Sequence, residues 1–374
     1  MAQNTRGSKQ TEVLVIGSNM CGLLLAEAYR QQGRDVVLLE AGERYGLNHL
    51  SLDLGFIPDS GASREALKWM SNLLRAEPTV TAIEQPPVTY VDGHLQTFVG
   101  FGDHNPPARD EVSYYTANSH LEINPTLSEI TAPLIAEPKF QVLTRKEVTK
   151  ILSAGGQVEG VEVNGEEVWQ SPEIVWTLGP SRLLEVMPLD VIDGKHRQRF
   201  AKAHSWATIT LQLRHPRIVT TERGIHILYG SGHEADPVVG RYWPTLPEGG
   251  QTSAWMTLVP GESSEDPDSL SAALKHLKRQ IKRAHPHVLN DLLEERLLVT
   301  AESHGHLNMK DKRPFTMAEL KGFTFASPLL SDFRGTLAGI DIARRISELF
   351  ETSQSASRQT NDHAPTLDSD ATSI

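Results

Sequence analysis

The chain has 374 residues, 39% of them apolar, with 36 Lys and Arg against 47 Asp and Glu for a formal net charge of −11. That length gives roughly two domains and a sizeable core, and the acidic balance speaks against nucleic acid, which needs clustered Lys and Arg. One cysteine, Cys21, excludes an intramolecular disulfide and a Cys-based zinc site. No run approaches the ~18 apolar residues of a membrane span, and 1–10 lack the apolar segment of a signal peptide. A soluble, cytoplasmic α/β protein is expected.

In chain order, Val13-Leu14-Val15-Ile16 is a continuous β-branched and apolar run, the pattern of a strand buried on both faces of a parallel sheet. A turn from Gly17 to Gly22 follows, then a helix over 23–32 ending at Gly33, and a second buried strand over 35–39 that stops at Glu40. Short strands are predicted over 140–143 and 147–152, and a hairpin over 157–170 turns at Asn164-Gly165. A buried strand over 173–177 ends at Leu178-Gly179-Pro180. From about 186 the strands become longer and half-polar, over 207–213, 224–229 and 252–259. An amphipathic helix spans 269–285 and a closing strand–helix pair spans 322–350. Residues 1–10 and 351–374 are polar without periodicity and are expected to be flexible.

The first turn carries the most chemistry. In a G-x-G-x-x-G turn, the first glycine makes the tight bend, the second lets backbone approach a pyrophosphate, and the third packs helix on strand. Phosphates then rest on the N–H groups of the helix start. Here the turn reads Gly17-Ser18-Asn19-Met20-Cys21-Gly22. Asn19 stands in the middle position, where it can adopt left-handed backbone and either crowd a phosphate or hydrogen-bond to it. Glu40, 23 residues after Gly17, ends the second strand, where an acid can take both hydroxyls of an adenosine ribose. Together these features predict dinucleotide binding.

Residues 13–55, with Glu40-Ala41-Gly42-Glu43-Arg44-Tyr45-Gly46 and Leu52-Asp53-Leu54-Gly55, resemble the N-terminus of the flavin amine oxidase superfamily. That group includes protoporphyrinogen oxidase, phytoene desaturase, renalase and monoamine oxidase. Its E-x-x-x-R-x-G-G segment is matched by Glu40, Arg44 and Gly46, with Leu47 in place of the last glycine. Glu147-Val148 resembles the strand whose backbone holds adenine, and 158–177 resembles the return to the FAD domain. Near the C-terminus, Phe325-Ala326-Ser327 and Gly335-Thr336-Leu337-Ala338-Gly339 resemble the segment that meets the flavin ribitol and opens the last helix. Ser327 stands where the family has an acid, and Asp332 is the nearby acid able to substitute. The resemblance implies FAD as cofactor, held by Gly17, Ser18, Asn19, Gly22, Glu40, Ala41, Arg44, Val148, Ser327, Gly335, Thr336 and Leu337.

Other features read as structure. Cys21 lies where a helix dipole can lower a thiol pKa, but without a second cysteine it reads as packing. His304-Gly305-His306 and His285-Pro286-His287 have no further ligand at metal spacing, so no metal is expected. Strand 205–210 lacks the lysine that the family's amine oxidases commonly place near the flavin N5, and Lys310 and Lys312 lie in a polar loop. Tyr242, Trp243 and Trp255 suit either a substrate pocket or a core. Phe98-Val99-Gly100-Phe101-Gly102 lacks the Gly-Lys-Ser/Thr of a phosphate loop, and the basic run 275–283 reads as a solvated helix face.

The expected architecture is α/β: a Rossmann-type FAD-binding domain of the glutathione-reductase-like kind from 11–57, 131–185 and 319–350. It is interleaved with a mixed-sheet substrate domain from 58–130 and 186–318. The leading function is a FAD-dependent oxidoreductase taking a hydride from a C–H of a small-molecule or protein substrate to flavin N5, with no catalytic base identified. The rival is a non-catalytic or maturation-type protein on the same fold, comparable to Rab GDP-dissociation inhibitors.

Overall fold

In the computed structural model, Val13–Ile16 is fully buried at the middle of a six-stranded sheet. The structure describes residues 9–46, 54–103, 105–188, 191, 194–229, 237–243, 249–307, 315–316 and 320–361. The sheet runs in the order Phe315–Thr316, Phe323–Phe325, Ile174–Trp176, Val13–Ile16, Val36–Leu39, Gln141–Leu143, and its last five strands are parallel. Each of its three middle strands is buried along its whole length, as expected where helices cover both faces. The first helix, Met20–Gln31, and the last, Gly335–Asn361, pack side by side against it. Gly339 makes that approach possible, since a Cβ there would stand 2.9 Å from the Cys21 amide nitrogen.

A four-stranded sheet lies beside this unit, in the order Lys9–Gln10, Glu167–Gln170, Gln157–Val163, Val148–Ala154. Its hairpin turns at Asn164 and Gly165, both with left-handed φ, of 53° and 72°. These residues make the turn across which the Glu166 N–H bonds the Val163 carbonyl at 3.2 Å.

The remaining large sheet has seven strands: Glu294–His306, His204–His215, Gln251–Pro260, Val238–Tyr242, His226–Leu228, Val88–Val91 and His94–Thr97. Its two faces bury different sets. Ile227, Val239, Ala254, Met256 and Leu258 pack against Leu54, Phe56, Phe98, Phe101 and Tyr115. On the opposite face, Leu211, Leu213, Tyr242 and Trp255 pack against Leu277 and Ile281 of the helix Pro267–Ala284. Gly240 gives the Trp255 indole its space, because a Cβ at 240 would lie 1.9 Å from Cε3. A two-stranded ribbon pairs Thr79–Glu84 with Ser119–Asn124.

Several sequence expectations are corrected. Lys9 and Gln10, expected in the polar N-terminal segment, form a strand. They pair with Trp169 and Gln170, and the Lys9 ammonium bonds Glu167 at 2.5 Å and lies 4.9 Å from the Trp169 ring centroid. The last helix does not stop at 350 but continues to Asn361. The first helix begins at Met20 rather than 23, because Asn19 caps it. Helix Gly61–Leu74, within the range expected for the second domain, buries Ala66, Leu67 and Met70 in the core of the six-stranded sheet. Leu47, Leu52, Asp53, Lys310, Lys312 and residues 362–374 lie outside the described residues.

Candidate functional site

Strands Val13–Ile16, Ile174–Trp176 and Phe323–Phe325 are parallel neighbours and end at one edge of the sheet. The backbone leaving them lies at the carboxyl ends of the strands, where open α/β sheets bind ligands in a crevice. Residue 17 has φ +99° and donates its N–H to the Leu39 carbonyl at 2.9 Å. A Cβ there would lie 2.5 Å from Leu178 Cδ2, and one at Gly22 would lie 2.1 Å from the Gly17 carbonyl oxygen. Both glycines of the motif are therefore required by close approach as well as by the turn.

Asn19 behaves differently from its expectation. Its φ of −67° is not left-handed, and its side chain faces the protein. Oδ1 accepts from the Gly22 N–H at 3.1 Å and Nδ2 donates to the Thr177 carbonyl at 2.7 Å. It caps the helix and ties the turn to the neighbouring strand.

Glu40 closes the turn from the other side. Its Oε2 accepts from the Ser18 N–H at 3.0 Å and the Ser18 hydroxyl at 2.6 Å, and its Oε1 accepts from the Gly42 N–H at 2.8 Å. The Ser18 hydroxyl in turn accepts from the Gly46 N–H at 3.0 Å. Three donors leave a carboxylate with roughly one further lone-pair site, enough for a ribose hydroxyl. Ala41 and Arg44 are exposed on the loop beyond. Val148 is buried in the four-stranded sheet, paired with Val163.

The C-terminal segment fits less well. Ser327 is buried, and its hydroxyl caps the short turn Pro328–Leu330 by accepting from the Leu329 N–H at 3.4 Å. Asp332 is exposed. Gly335 has φ +59°, Thr336 is buried, and the Leu337 side chain belongs to the sheet's core. Cys21 donates to the Ala326 carbonyl at 3.3 Å, and burial, then the Asp341 charge, push its thiol well above the ordinary value. The packing reading of Cys21 therefore fits its surroundings.

The opposite wall is the end of the long strand Glu294–His306. The Leu307 N–H bonds the Leu329 carbonyl at 3.2 Å. His304 is buried, with Nε2 2.8 Å from the Tyr115 hydroxyl and Nδ1 3.0 Å from the Ser303 hydroxyl. Burial, then the nearby Arg334 charge, hold its pKa down to about 3, so the ring is neutral at ordinary pH. Arg334, next to the last helix, forms a buried ion pair with Glu111. Glu302 places its carboxylate against Gly179 and accepts from the Ser181 hydroxyl. Sequence reasoning did not find Tyr115, Glu111, Arg334 or Glu302, which come together only through long-range packing.

Two open cavities lie elsewhere. One of about 310 Å³ borders Gln212, Arg214, Trp243 and Arg296 at the far end of the seven-stranded sheet, with Arg296 about 20 Å along the strand from Glu302 at ~3.4 Å per residue. The other, about 290 Å³, lies beside helix Gly61–Leu74. The closely packed glycine turn and the buried titratable groups, rather than cavity size, mark this edge as the candidate site. Among the described residues, no three His, Cys, Asp or Glu are arranged to hold a metal, and no helix is long and apolar enough to cross a membrane.

The crevice and its turn define a Rossmann-like dinucleotide fold, and a family model of the NAD(P)-binding Rossmann-like domain matches residues 15–65. No curated protein matches the sequence. Among solved structures, an oxidoreductase from Methanosarcina mazei aligns with a TM-score of 0.64 at 12% identity, covering 91% of this chain and all of that one. Putrescine oxidase bound to putrescine aligns with a TM-score of 0.63 at 12% identity over 93% of this chain and all of that one. L-proline dehydrogenase from P. horikoshii aligns with a TM-score of 0.54 at 14% identity, covering 92% of this chain and 94% of that one. These likenesses extend over nearly the whole chain and concern the fold.

Proposed function

We propose that the protein is a FAD-dependent oxidoreductase, taking a hydride from a C–H bond of an amine or of a C–C unit. The observation that carries this reading is the Gly17–Gly22 turn locked to the Glu40 carboxylate at the carboxyl edge of the parallel sheet. That geometry suits the adenosine diphosphate half of a dinucleotide: phosphates at the start of helix Met20–Gln31, ribose at Glu40. Similarity of fold to putrescine oxidase and L-proline dehydrogenase supports an oxidoreductase, and the resemblance of residues 13–55 to the flavin amine oxidases favours a flavin over a nicotinamide.

The flavin would supply the two-electron chemistry, accepting the hydride at N5. The chain would position it from Gly17, Ser18, Gly22 and Glu40, and through backbone at Gly335 and Thr336. The wall of Tyr115, His304 and Arg334 would exclude water from the crevice. His304, neutral and bonded at both ring nitrogens, would serve as a fixed polar support.

A second reading, a non-catalytic protein on this fold, is favoured by Ser327, which is buried and turned inward where the superfamily has an acid. The visible spectrum of the purified protein separates the two. A two-band flavin absorption, or its appearance on adding FAD, supports the oxidoreductase; a colourless protein that takes up no FAD refutes it. In the flavin-loaded protein, Glu40→Ala is expected to weaken FAD retention at least tenfold, from loss of a charge-assisted bond of about 1.5–3 kcal/mol. Unchanged retention would remove Glu40 from the site.

A further inference from the structure

One residue of the crevice is held in a conformation that the sheet itself does not require. Glu302 sits where the register of its strand slips, between the pairs Trp206–His304 and Thr208–Thr300, and it has φ +48°. Left-handed backbone is unfavourable for a glutamate, and such irregularities re-aim side chains. The side chain points off the seven-stranded sheet to the loop leaving strand Ile174–Trp176. Its seat there is Gly179, whose φ of −68° any residue adopts, so the glycine is needed for space rather than for backbone freedom. A Cβ at 179 would stand 1.6 Å from Glu302 Oε2.

The seat adjoins the dinucleotide turn. Leu178 lies over Gly17, and the Thr177 carbonyl accepts from Asn19. The charges near Glu302 offset its own only weakly. Arg182, on the helix that follows Gly179, pairs with Glu185 at 2.9 Å, and Glu147 and Glu265 also act on it. On its own strand, His304 is neutral. Burial raises the Glu302 pKa, with Arg182 opposing and Glu185 adding to the rise. Left-handed backbone on a non-glycine residue together with a half-buried carboxylate is costly, and such strain is of the kind that persists at switching sites.

Resting on the flavin reading, we propose that Glu302 is an autoinhibitory latch. Seated on Gly179 and Ser181, it holds the long strand across the crevice and sets a negative charge beside the turn that would take the cofactor diphosphate. Loading a dinucleotide then requires Glu302 to leave its seat or take up a proton.

Calorimetric titration of FAD into the full-length protein between about pH 5.5 and 8 tests this. Glu302→Gln should bind FAD about tenfold or more tightly than the parent at pH 8, since a like charge near the diphosphate is removed. The parent's affinity should rise as pH falls, whereas the Gln variant's should change little. Gly179→Ala keeps the charge and denies it the seat, so hydrogen exchange at residues 179–183 should quicken in the unliganded protein. Equal FAD affinities and equal pH slopes for parent and Glu302→Gln would overturn the latch while leaving the flavin reading standing. Failure of every form to bind FAD at any pH would overturn the flavin reading and the latch with it.

Discussion

Lowering the pH from about 7.5 to 5.5 should destabilise the protein far more than its surface charge suggests. Three histidines in different parts of the fold are enclosed: His120 and His304 beside the crevice wall, and His226 under helix Pro267–Ala284, with exposures of 1%, 4% and 0%. Burial, then Arg241, holds His120 near a pKa of about 4; burial, then Arg334, holds His304 near about 3; and burial, then His285, holds His226 near about 3. An unfolded histidine titrates near ~6.5, so below that pH the unfolded chain binds protons that the folded chain refuses, and stability falls with pH. At pH 5.5 each group costs about 1.4 kcal/mol, or about 4 kcal/mol for the three, against a total stability of about 5–15 kcal/mol. His285 and His215, also shifted down by burial, add to this.

Urea unfolding followed by tryptophan fluorescence at a series of pH values gives the slope directly. The pH dependence should approach three or more protons taken up on unfolding near pH 5.5. His226→Phe offers a clean subtraction, because neither ring nitrogen has a hydrogen-bond partner among the described residues and the ring packs among Tyr242, Trp255 and His285 at centroid distances of 5.5, 5.6 and 5.3 Å. That variant should lose about one proton from the slope. A stability flat between pH 7.5 and 5.5, or a variant with the parent's slope, would refute the reasoning.

Two further outcomes are expected. Asn19→Ala should lower stability by about 1 kcal/mol in urea unfolding, as loss of a helix N-cap does; no change would show that its bonds to Gly22 and Thr177 do not hold the turn. Arg334→Met leaves the Glu111 carboxylate buried without its ion-pair partner and should cost about 3–5 kcal/mol, much of it recovered when Glu111→Leu is added. A loss below about 1 kcal/mol would mean the pair behaves like an exposed one.

The parallel core was legible because strands buried on both faces are written as unbroken apolar runs, and the sheet's three middle strands match such runs within a residue or two. The Asn164-Gly165 hairpin was legible for a local reason, since those residues adopt the left-handed turn without strain. The same signal stood at Asp92-Gly93, with φ of 49° and 88°, and went unread between strands Val88–Val91 and His94–Thr97. Lys9–Gln10 was missed because two polar residues have no periodicity; what orders them is the Glu167 carboxylate, held down to a pKa of about 2 by Lys146 and Lys9. Asn19 was identified at its position but not in its conformation, because the Thr177 carbonyl that turns it inward is 158 residues away. The crevice wall of Tyr115, His304, Glu302 and Arg334 has no local pattern. Its members are set by the pairing of one long strand and by a loop more than a hundred residues distant.

The order of strands in the central sheet also bears on how the chain reaches its fold as it is made. Val13–Ile16 lies between Val36–Leu39, which follows at once, and Ile174–Trp176, with Phe323–Phe325 beyond. At ~5–20 residues per second, the ribosome delivers residue 325 roughly 15–60 s after residue 16. Until residues 174–176 arrive the opening strand has one unpaired hydrogen-bonding edge, and for the whole interval the first helix lacks the last helix that packs beside it. The nascent N-terminal unit is therefore an incomplete sheet whose apolar face is completed only when the final strand and helix arrive.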